Sequence, residues 1–291
     1  MRPAHVVEIV TPKKFMLNGL WFGPKDAQCV IVWVHGLGSS AFTKSHIIDE
    51  LVDKHTAVLT FNNRGHDKIS SVSSGRNKRI RGGSAHEIFT DCVDDIEGTV
   101  RYAKQQGAQS IILAGHSTGC QKSVYWAAKK GKGVDGIVLL APMSDYAATV
   151  MLDGKKKIAR AMSYARKLLK KDRPHELLPE SVWDWSLMAD AQRFISLYSG
   201  ISEEEIFTYW ESARKPKTLL SVKIPMLVVL AEKDEYADRS APEIAAWFAE
   251  HLRSSSAVTI IPKVDHGFKG GEQVIVDRIN SWASISMKAT S

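Results

Sequence analysis

The sequence has few of the features that mark secreted, metal-binding or membrane proteins. Its 291 residues include three cysteines, Cys29, Cys92 and Cys120, which are too few and too scattered for a disulfide framework or a CxxC metal site. Their odd number and unpaired spacing indicate a reducing compartment. The first ten residues lack the apolar core of a signal peptide, and no stretch approaches the roughly 18 uncharged apolar residues of a transmembrane helix. We therefore expect a cytoplasmic protein with no transmembrane segment.

Motifs for cofactors are missing as well. The chain contains no P-loop, EF-hand or HExxH pattern, so we expect neither a metal nor a nucleotide cofactor. Hydrophobic residues make up 44% and charged residues 24% of the chain, which excludes a disordered or fibrous protein. The length suffices for one large α/β domain or two smaller ones.

The net charge of +7 is concentrated in two basic stretches. Residues 64–81 hold six Lys or Arg against one acid, and residues 144–174 hold nine against three, whereas residues 175–215 hold three against eight. The two basic stretches either attract an anionic small-molecule substrate or are ordinary solvated surface. Since no aromatic residue interleaves with the first stretch, we expect no nucleic-acid partner.

Apolar, β-branched runs alternate with helical patterns along most of the chain. The segments 5–10 and 15–22 predict a pair of strands, plausibly a hairpin, and residues 62–84 predict a polar loop. Further strands are predicted at 29–34, 56–61, 110–114, 136–140, 224–230 and 257–261, and helices at 42–54, 85–106, 118–130, 241–252 and 271–284. This alternation is typical of an α/β fold in which helices cover both faces of a mostly parallel sheet.

One long segment interrupts the alternation. Roughly 80 residues separate the strands at 136–140 and 224–230, too many for a simple crossover. Part of this segment has an amphipathic helical pattern with Lys and Arg opposite its apolar face, which consists of Ile158, Ala161, Met162, Ala165, Leu168 and Leu169. We predict a helical cap at 144–215, inserted into a core of residues 1–143 and 216–291. The alternative is a basic amphipathic helix that lies on a membrane surface.

The strongest chemical signal is the segment from Gly115 to Gly119, with the sequence GHSTG. It follows a predicted strand and precedes a predicted helix, where a sharp turn would lift the Ser117 hydroxyl above the sheet. The flanking glycines remove the Cβ atoms that would clash in such a turn. The pattern therefore predicts a nucleophilic serine.

A second segment, Val34-His35-Gly36-Leu37-Gly38, directly follows another buried strand. Acyl transfer creates an oxyanion that needs preorganised N–H donors. We expect these from the backbone of Thr118 and of Leu37, with Gly38 as the alternative to Leu37. Four residues around these donors are predicted to contact substrate, namely His35, Gly36, Gly38 and His116, although His35 equally suits a bond within its own loop.

A serine nucleophile needs a base, and the base needs an acid that orients it. His266 lies between the last predicted strand and the last helix, and Asp234 follows the preceding strand. The order Ser, Asp, His then agrees with an α/β-hydrolase arrangement. Glu232, Glu235 and Asp145 remain alternatives for the acid.

Other residues have weaker claims. Cys92 and Cys120 are expected to pack as small apolar side chains. Arg64 and His66 follow a strand end and either meet a substrate carboxylate or pair with Asp67. Seven aromatic residues of the 144–215 segment either line an acyl or aryl pocket or form ordinary core, namely Trp183, Trp185, Phe194, Tyr198, Phe207, Tyr209 and Trp210.

The motifs HGLG, GHSTG, AEKDE and VDHGF, in this order, resemble the α/β-hydrolase superfamily over nearly the whole chain. More narrowly, four segments are similar to the fungal siderophore-esterase group, a family first defined without known function: NRGHD (63–67), EIFTDCVDDI (87–96), GHSTGCQ (115–121) and APMSD (141–145). That resemblance implies hydrolysis of ester bonds in ferric hydroxamate siderophores inside the cell, with Ser117, Asp234 and His266 as the triad. Small cinnamoyl-ester hydrolases share much of the same plan.

The expected function is therefore a serine hydrolase that cleaves a carboxylic ester of siderophore type, or another acidic or aromatic ester, through an acyl-enzyme. One alternative is carbon–carbon bond hydrolysis of a diketone or ring-cleavage product by the same residues. Another is a ligand-binding protein that keeps the pocket without turnover.

Overall fold

The computed structural model describes residues 2–75 and 78–286 and confirms the predicted α/β-hydrolase fold. Six parallel strands form one side of the sheet, from the edge strand β10 inward, in the spatial order β10, β9, β8, β7, β3, β4. They are β3 (Cys29–Val34), β4 (Thr56–Phe61), β7 (Ser110–His116), β8 (Gly136–Leu140), β9 (Met226–Ala231) and β10 (Ala257–Ile261).

The remaining strands are antiparallel and extend the sheet beyond β4. The predicted hairpin is confirmed, since β1 (Ala4–Val10) pairs with β2 (Phe15–Phe22), and β2 pairs with β4. The predicted loop at 62–84 is wrong, because it contains a second hairpin of β5 (Ser70–Ser74) and β6 (Lys78–Gly82). Only Val72 among the β5 residues is buried, so this edge hairpin lacks the apolar alternation that marks a strand. Arg76 and Asn77, part of the first basic stretch, lie outside the described residues.

Nine α-helices connect and cover these strands within residues 2–75 and 78–286: α1 (Ser45–Leu51), α2 (Cys92–Gln105), α3 (Thr118–Lys130), α4 (Asp145–Asp153), α5 (Lys155–Lys170), α6 (Ala191–Tyr198), α7 (Lys217–Ser221), α8 (Ala241–His251) and α9 (Glu272–Ser286). Two are shorter than predicted. The residue before α1, Lys44, has a left-handed backbone with φ 62°, and α2 begins only after a 3-10 turn at Phe89–Asp91.

The sheet divides the core into two layers. Val30, Val32 and Val34 of β3 face a hydrophobic cluster that includes residues of α2, α3 and α8. Ile31 and Trp33 point to the opposite cluster, which includes residues of α1 and α9. This alternation explains why β3 is apolar at every position, as expected for a strand covered on both faces.

The 144–215 segment contains α4, α5 and α6 and has a hydrophobic cluster of its own, which runs from Ile158 to Tyr198. The predicted apolar face of α5 is buried there except for Leu169, which is 40% exposed. Because α6 packs against α5, this face is not free to lie on a membrane. Further along the segment, Ile206, Phe207 and Tyr209 join the main core instead. None of the described helices has both the length and the apolar character needed to cross a bilayer.

Candidate active site

The candidate site lies where the chain reverses its direction of travel across the sheet. From β3 the chain moves to β4 on one side, and it later returns to β7 on the other side of β3. Val34 and Gly115 are register partners at the ends of β3 and β7, so the segments 35–38 and 116–118 leave the sheet side by side. Such a crevice at the carboxyl ends of parallel strands is where ligands bind in open α/β sheets.

Ser117 occupies a sharp turn between β7 and α3, as its motif predicts. Its backbone has φ 56° and ψ −127°, a strained conformation for a residue with a side chain. The turn is possible because of its glycines, since a Cβ on Gly115 would lie 2.4 Å from the Gly119 oxygen, and one on Gly119 would lie 2.2 Å from the Val34 oxygen. These distances are far shorter than any real contact between carbon and oxygen atoms. Only glycine therefore fits at these two positions.

His266 and Asp234 meet across two loops. Both oxygens of the Asp234 carboxylate accept from Nδ1 of His266, at 2.8 and 3.0 Å. The alternative acids have other partners: Glu235 accepts from the backbone N–H of His266 at 2.9 Å, and Glu232 accepts from the Lys263 N–H. With Nδ1 engaged by Asp234, Nε2 is the ring nitrogen left for a hydroxyl.

A cavity of about 470 Å³ joins the two halves of the site. Ser117 and His266 both line it, and the Ser117 hydroxyl donates to the sulfur of Met143 at 3.7 Å. Ser117 and His266 thus face the same cavity, and Asp234 contacts His266 from outside its lining. A ligand in this cavity can contact both the serine oxygen and the His266 imidazole.

Backbone N–H groups next to Ser117 are available for a ligand. Those of Leu37, Gly38 and Thr118 donate to no acceptor among the described residues. Thr118 opens α3, where the first N–H groups of a helix have no intrahelical partner. A Cβ on Gly36 would lie 2.9 Å from the Ser117 Cβ, which shows how closely the segment 36–38 approaches the serine.

The two histidines predicted near substrate are both buried. His116 lines the cavity, and its Nε2 donates to the carbonyl oxygen of His266 at 2.9 Å. His35 is 1% exposed, is not among the lining residues, and donates from Nδ1 to the Gly36 oxygen at 2.9 Å. Burial, reinforced by the Lys122 charge, lowers the pKa of His35 to about 3. Burial, with the His266 and Lys44 charges, lowers the pKa of His116 well below its usual range.

The cavity has two long walls. One is the segment 36–46, and the other is a face of α4 made of Asp145, Ala148, Thr149, Leu152 and Asp153. The spacing of three and four along α4 places these residues on one face. Several lining residues were not predicted from the sequence, namely Lys44, His46, Met143, Leu187 and Tyr236. Met143 lies within the segment 141–145 and Tyr236 directly follows the segment 231–235, but the pattern of neither segment marks these side chains as cavity residues.

The aromatic residues of the 144–215 segment mostly form core. Trp183, Phe194 and Tyr198 pack against one another with ring centroids 4.9 to 5.2 Å apart. Of the seven aromatic candidates, Tyr198 lines the cavity, and Trp185 is 41% exposed. Aryl recognition therefore has little support beyond Tyr198 and the unpredicted Tyr236.

The basic stretches also lie mostly away from the cavity. None of their Lys or Arg residues lines it among the described residues. Lys68 instead borders a smaller neighbouring cavity of about 150 Å³, which Leu37 and Gly38 also line. Arg64 is buried and pairs with Asp91, Asp94 and Asp95 rather than with Asp67 or a ligand.

A buried ion network fixes the 144–215 segment to the core. The Glu87 carboxylate pairs with Lys122 of α3 at 2.5 Å and with Arg193 of α6 at 2.8 Å, and Arg193 also binds Glu204 at 2.5 Å. Burial opposes the charge on Glu87, but Lys122 and Arg193 outweigh it and lower its pKa. The helix that begins at the serine turn is therefore tied to α6.

Glu205, beside this network, makes stability depend on pH. Burial raises the pKa of Glu205 from 4.5 to about 7, although the Trp210 ring nitrogen donates to it at 2.9 Å. The folded protein then binds a proton more tightly than the unfolded chain, so the free energy of unfolding falls as the pH rises from about 4.5 to about 7. We expect Glu205→Gln to raise this free energy by about 2 kcal/mol more at pH 8 than at pH 5. Urea denaturation of both proteins at the two pH values measures the difference.

Glu211→Gln, at an exposed position, is the matched control, and because it retains Glu205 it should show the same pH dependence of the free energy of unfolding as the wild type. Equal effects of Glu205→Gln at pH 5 and pH 8 would mean that Glu205 does not hold its proton in the folded protein.

The three cysteines are free thiols, and Cys92 and Cys120 are buried, as expected. Burial raises the pKa of the Cys120 thiol well above its usual range, so Cys120 is a poor nucleophile. Within the described residues no group of three or more His, Cys, Asp or Glu is placed to hold a metal ion.

Comparisons with known proteins give the family and the fold. Residues 83–284, more than half of the chain, match the family model described as "Protein of unknown function (DUF1749)". The chain belongs to this family. It is also 25% identical over 230 residues to "Putative esterase/lipase 2" of Mycoplasma genitalium, covering 78% of this chain and 79% of that protein.

Solved structures confirm the fold. The siderophore hydrolase EstB from Aspergillus fumigatus superposes with a TM-score of 0.71 at 17% identity, covering 98% of both chains. The esterase Pf2001 of Pyrococcus furiosus gives a TM-score of 0.63 at 19% identity, covering 98% of this chain and 91% of that one. The similarity to a fungal siderophore esterase that the motifs indicate is therefore confirmed for the fold.

Proposed function

We propose that this protein is a serine hydrolase that cleaves a carboxylic ester through an acyl-enzyme intermediate. The observation that carries the proposal is that His266, whose Nδ1 contacts Asp234, lines the same cavity as Ser117 on its strained turn. The naming of a relative as an esterase/lipase adds support. Asp234, His266 and Ser117 have the roles of orienting acid, base and nucleophile, and the predicted core and cap (144–215) enclose them.

In the first half of the reaction, the Ser117 oxygen attacks the ester carbonyl carbon while Nε2 of His266 takes the hydroxyl proton. The carbonyl oxygen becomes an oxyanion, which the N–H groups of Leu37 and Thr118 stabilise. Asp234 keeps the proton on Nδ1 and stabilises the imidazolium that forms. The carbon–oxygen bond to the alcohol then breaks, and His266 gives its proton to the departing oxygen.

In the second half, water repeats the attack on the acyl-enzyme. His266 takes a proton from the water as its oxygen bonds to the acyl carbon, and it returns a proton to Ser117 when the acid leaves. Gly36 allows the close approach of the segment 36–38 to the serine. His116 positions the loop of His266, because its Nε2 donates to the carbonyl oxygen of His266. His35 positions Gly36, because its Nδ1 donates to the Gly36 oxygen.

The proposed substrate is a small-molecule ester of siderophore type. The fold similarity to EstB, named a siderophore hydrolase, supports a siderophore-type ester, and the small-molecule partner follows from the cavity volume of about 470 Å³. Three free thiols agree with a reducing, cytoplasmic location, which stays a prediction.

A fluorophosphonate probe tests the nucleophile, followed by mass spectrometry of the labelled peptide. We expect a single adduct on Ser117 and none after heat denaturation. An ester panel and a β-diketone panel, assayed with the same protein, then test the reaction. Turnover of diketones but not of esters would show that the reaction is carbon–carbon bond hydrolysis. Tight ligand binding without labelling would show that the protein is a binding module.

A further inference from the structure

The charged residues that line the cavity are not equivalent. They are Lys44, Asp145 and Asp153, beside the histidines His46, His116 and His266. Asp153 forms an ion pair with Lys157 on the next helix, so its charge is already balanced. Asp145 accepts from the side-chain amide of Gln121 at 2.8 Å.

Asp145 is buried and already has a partner. It is 8% exposed, and burial, reinforced by the neighbouring Glu204 carboxylate, raises its pKa well above the usual range. Both carboxyl groups of the α4 wall therefore have partners within the protein, Asp145 in Gln121 and Asp153 in Lys157.

Lys44 lies in the wall formed by the segment 36–46, and its ammonium group has few hydrogen-bond acceptors around it. Its ammonium group donates to the Gly267 carbonyl oxygen at 3.4 Å, and no carboxylate of the described residues lies within 4.0 Å of it. Asp265 and Glu235 act on the Lys44 charge, but their carboxylates accept hydrogen bonds from backbone N–H groups. Asp265 accepts from Gly267, and Glu235 accepts from His266. A lysine ammonium has three donors, so donors remain for a ligand.

The surroundings of Lys44 keep its charge partly out of water. Burial lowers its pKa, against the opposing influence of Asp265 and Glu235. A half-buried cation gains more from an anionic partner than an exposed one, because water screens it less. Its contact with Gly267 also places it one residue from His266.

We propose that Lys44 determines substrate specificity by binding a carboxylate of the substrate, so that the preferred substrates are anionic esters. This rests on the proposed ester hydrolysis and names the substrate class of the same cavity. The remote basic stretches are then not the source of the preference, because none of their described residues lines the cavity.

Two pairs of esters test which part of the substrate carries the carboxylate. The acyl pair is the p-nitrophenyl monoester of adipic acid and the corresponding ester of adipamic acid, which is neutral and nearly the same shape. The alcohol pair is 4-carboxyphenyl butanoate and 4-carbamoylphenyl butanoate. For at least one pair we expect the wild-type kcat/KM to favour the anion, with a ratio that falls as salt is added.

In Lys44→Met we expect kcat/KM for the favoured anionic ester to fall about 10- to 100-fold, mainly through KM, while the neutral ester changes less than about twofold. Lys44→Arg keeps the charge and should retain most of the preference. Lys25→Met is the control, because Lys25 is exposed on the loop before β3, at the opposite end of the sheet. It should behave as wild type with all four esters.

Equal losses with the anionic and neutral esters would overturn the proposal and leave Lys44 as a positioning residue for the His266 loop. A ratio of anionic to neutral kcat/KM that is unchanged in Lys44→Met would overturn the proposal as well. Binding of 4-carboxyphenyl butanoate or of adipate to protein with Ser117→Ala, by calorimetry, gives a readout independent of turnover. If Lys44→Met weakens that binding tenfold, recognition stands even where the hydrolytic function fails.

Discussion

We expect replacement of Ser117 by alanine to lower kcat for a short p-nitrophenyl ester by about 10⁴- to 10⁶-fold. The loss is this large because the substitution removes the only hydroxyl on the turn between β7 and α3 that opens into the cavity beside His266. Steady-state assays with active-site titration measure it. Fluorophosphonate labelling should disappear in the same variant.

The control is Ser39→Ala, which removes another hydroxyl from the same cavity. Ser39 bonds the Thr43 hydroxyl at 2.6 Å and has no role in the proposed chemistry, so kcat should stay within about tenfold of wild type. Parent-like turnover by Ser117→Ala, with Ser39→Ala equally active, would exclude the acyl-enzyme route.

Asp234→Asn is expected to lower kcat by about 10⁴-fold. An asparagine amide in this place can donate to Nδ1 of His266, which then carries its proton on Nε2 and loses its function as a base. The carboxylate contacts of 2.8 and 3.0 Å make this change of tautomer the main effect. Rates at saturating ester, measured from pH 6 to 9, determine the loss.

Glu235→Gln is the matched control for the acid. The Glu235 carboxylate accepts from the backbone N–H of His266, and a glutamine oxygen can still accept there, so activity should be largely kept. A large loss in Glu235→Gln with a small one in Asp234→Asn would assign the orienting role to Glu235.

The residues of the proposed active site can be predicted from the sequence, because each of its parts has a local sequence pattern. The strand at 110–116, the glycines around Ser117 and the helix from Thr118 follow one another directly. The choice of Asp234 over Glu232, Glu235 and Asp145 depended on the order of strands, and the His266–Asp234 contact agrees with it. A parallel sheet brings successive strand ends to one edge, so order alone predicts much of the site.

The edge hairpin and the cavity walls could not be predicted in the same way. Strands β5 and β6 form because β5 pairs with β2 and with β6, not through a buried apolar face of their own. Arg64 finds Asp94 and Asp95, some 30 residues further along, rather than Asp67 nearby. Lys44 reaches the cavity through the packing of its loop against the distant loop of Gly267, and single-sequence patterns carry no information on such contacts.

The carboxylate of Glu87, shared by Lys122 and Arg193, also bears on how molecules enter. Moving α6 away from the sheet would leave these three charged groups without their partners in an apolar interior, which would cost several kcal/mol. Helix α6, whose Tyr198 lines the cavity, is therefore held in place and not free to swing open. If the cavity entrance keeps fixed dimensions, we expect the hydrolysis rates of a series of increasingly bulky esters to drop sharply at one size and not to fall gradually.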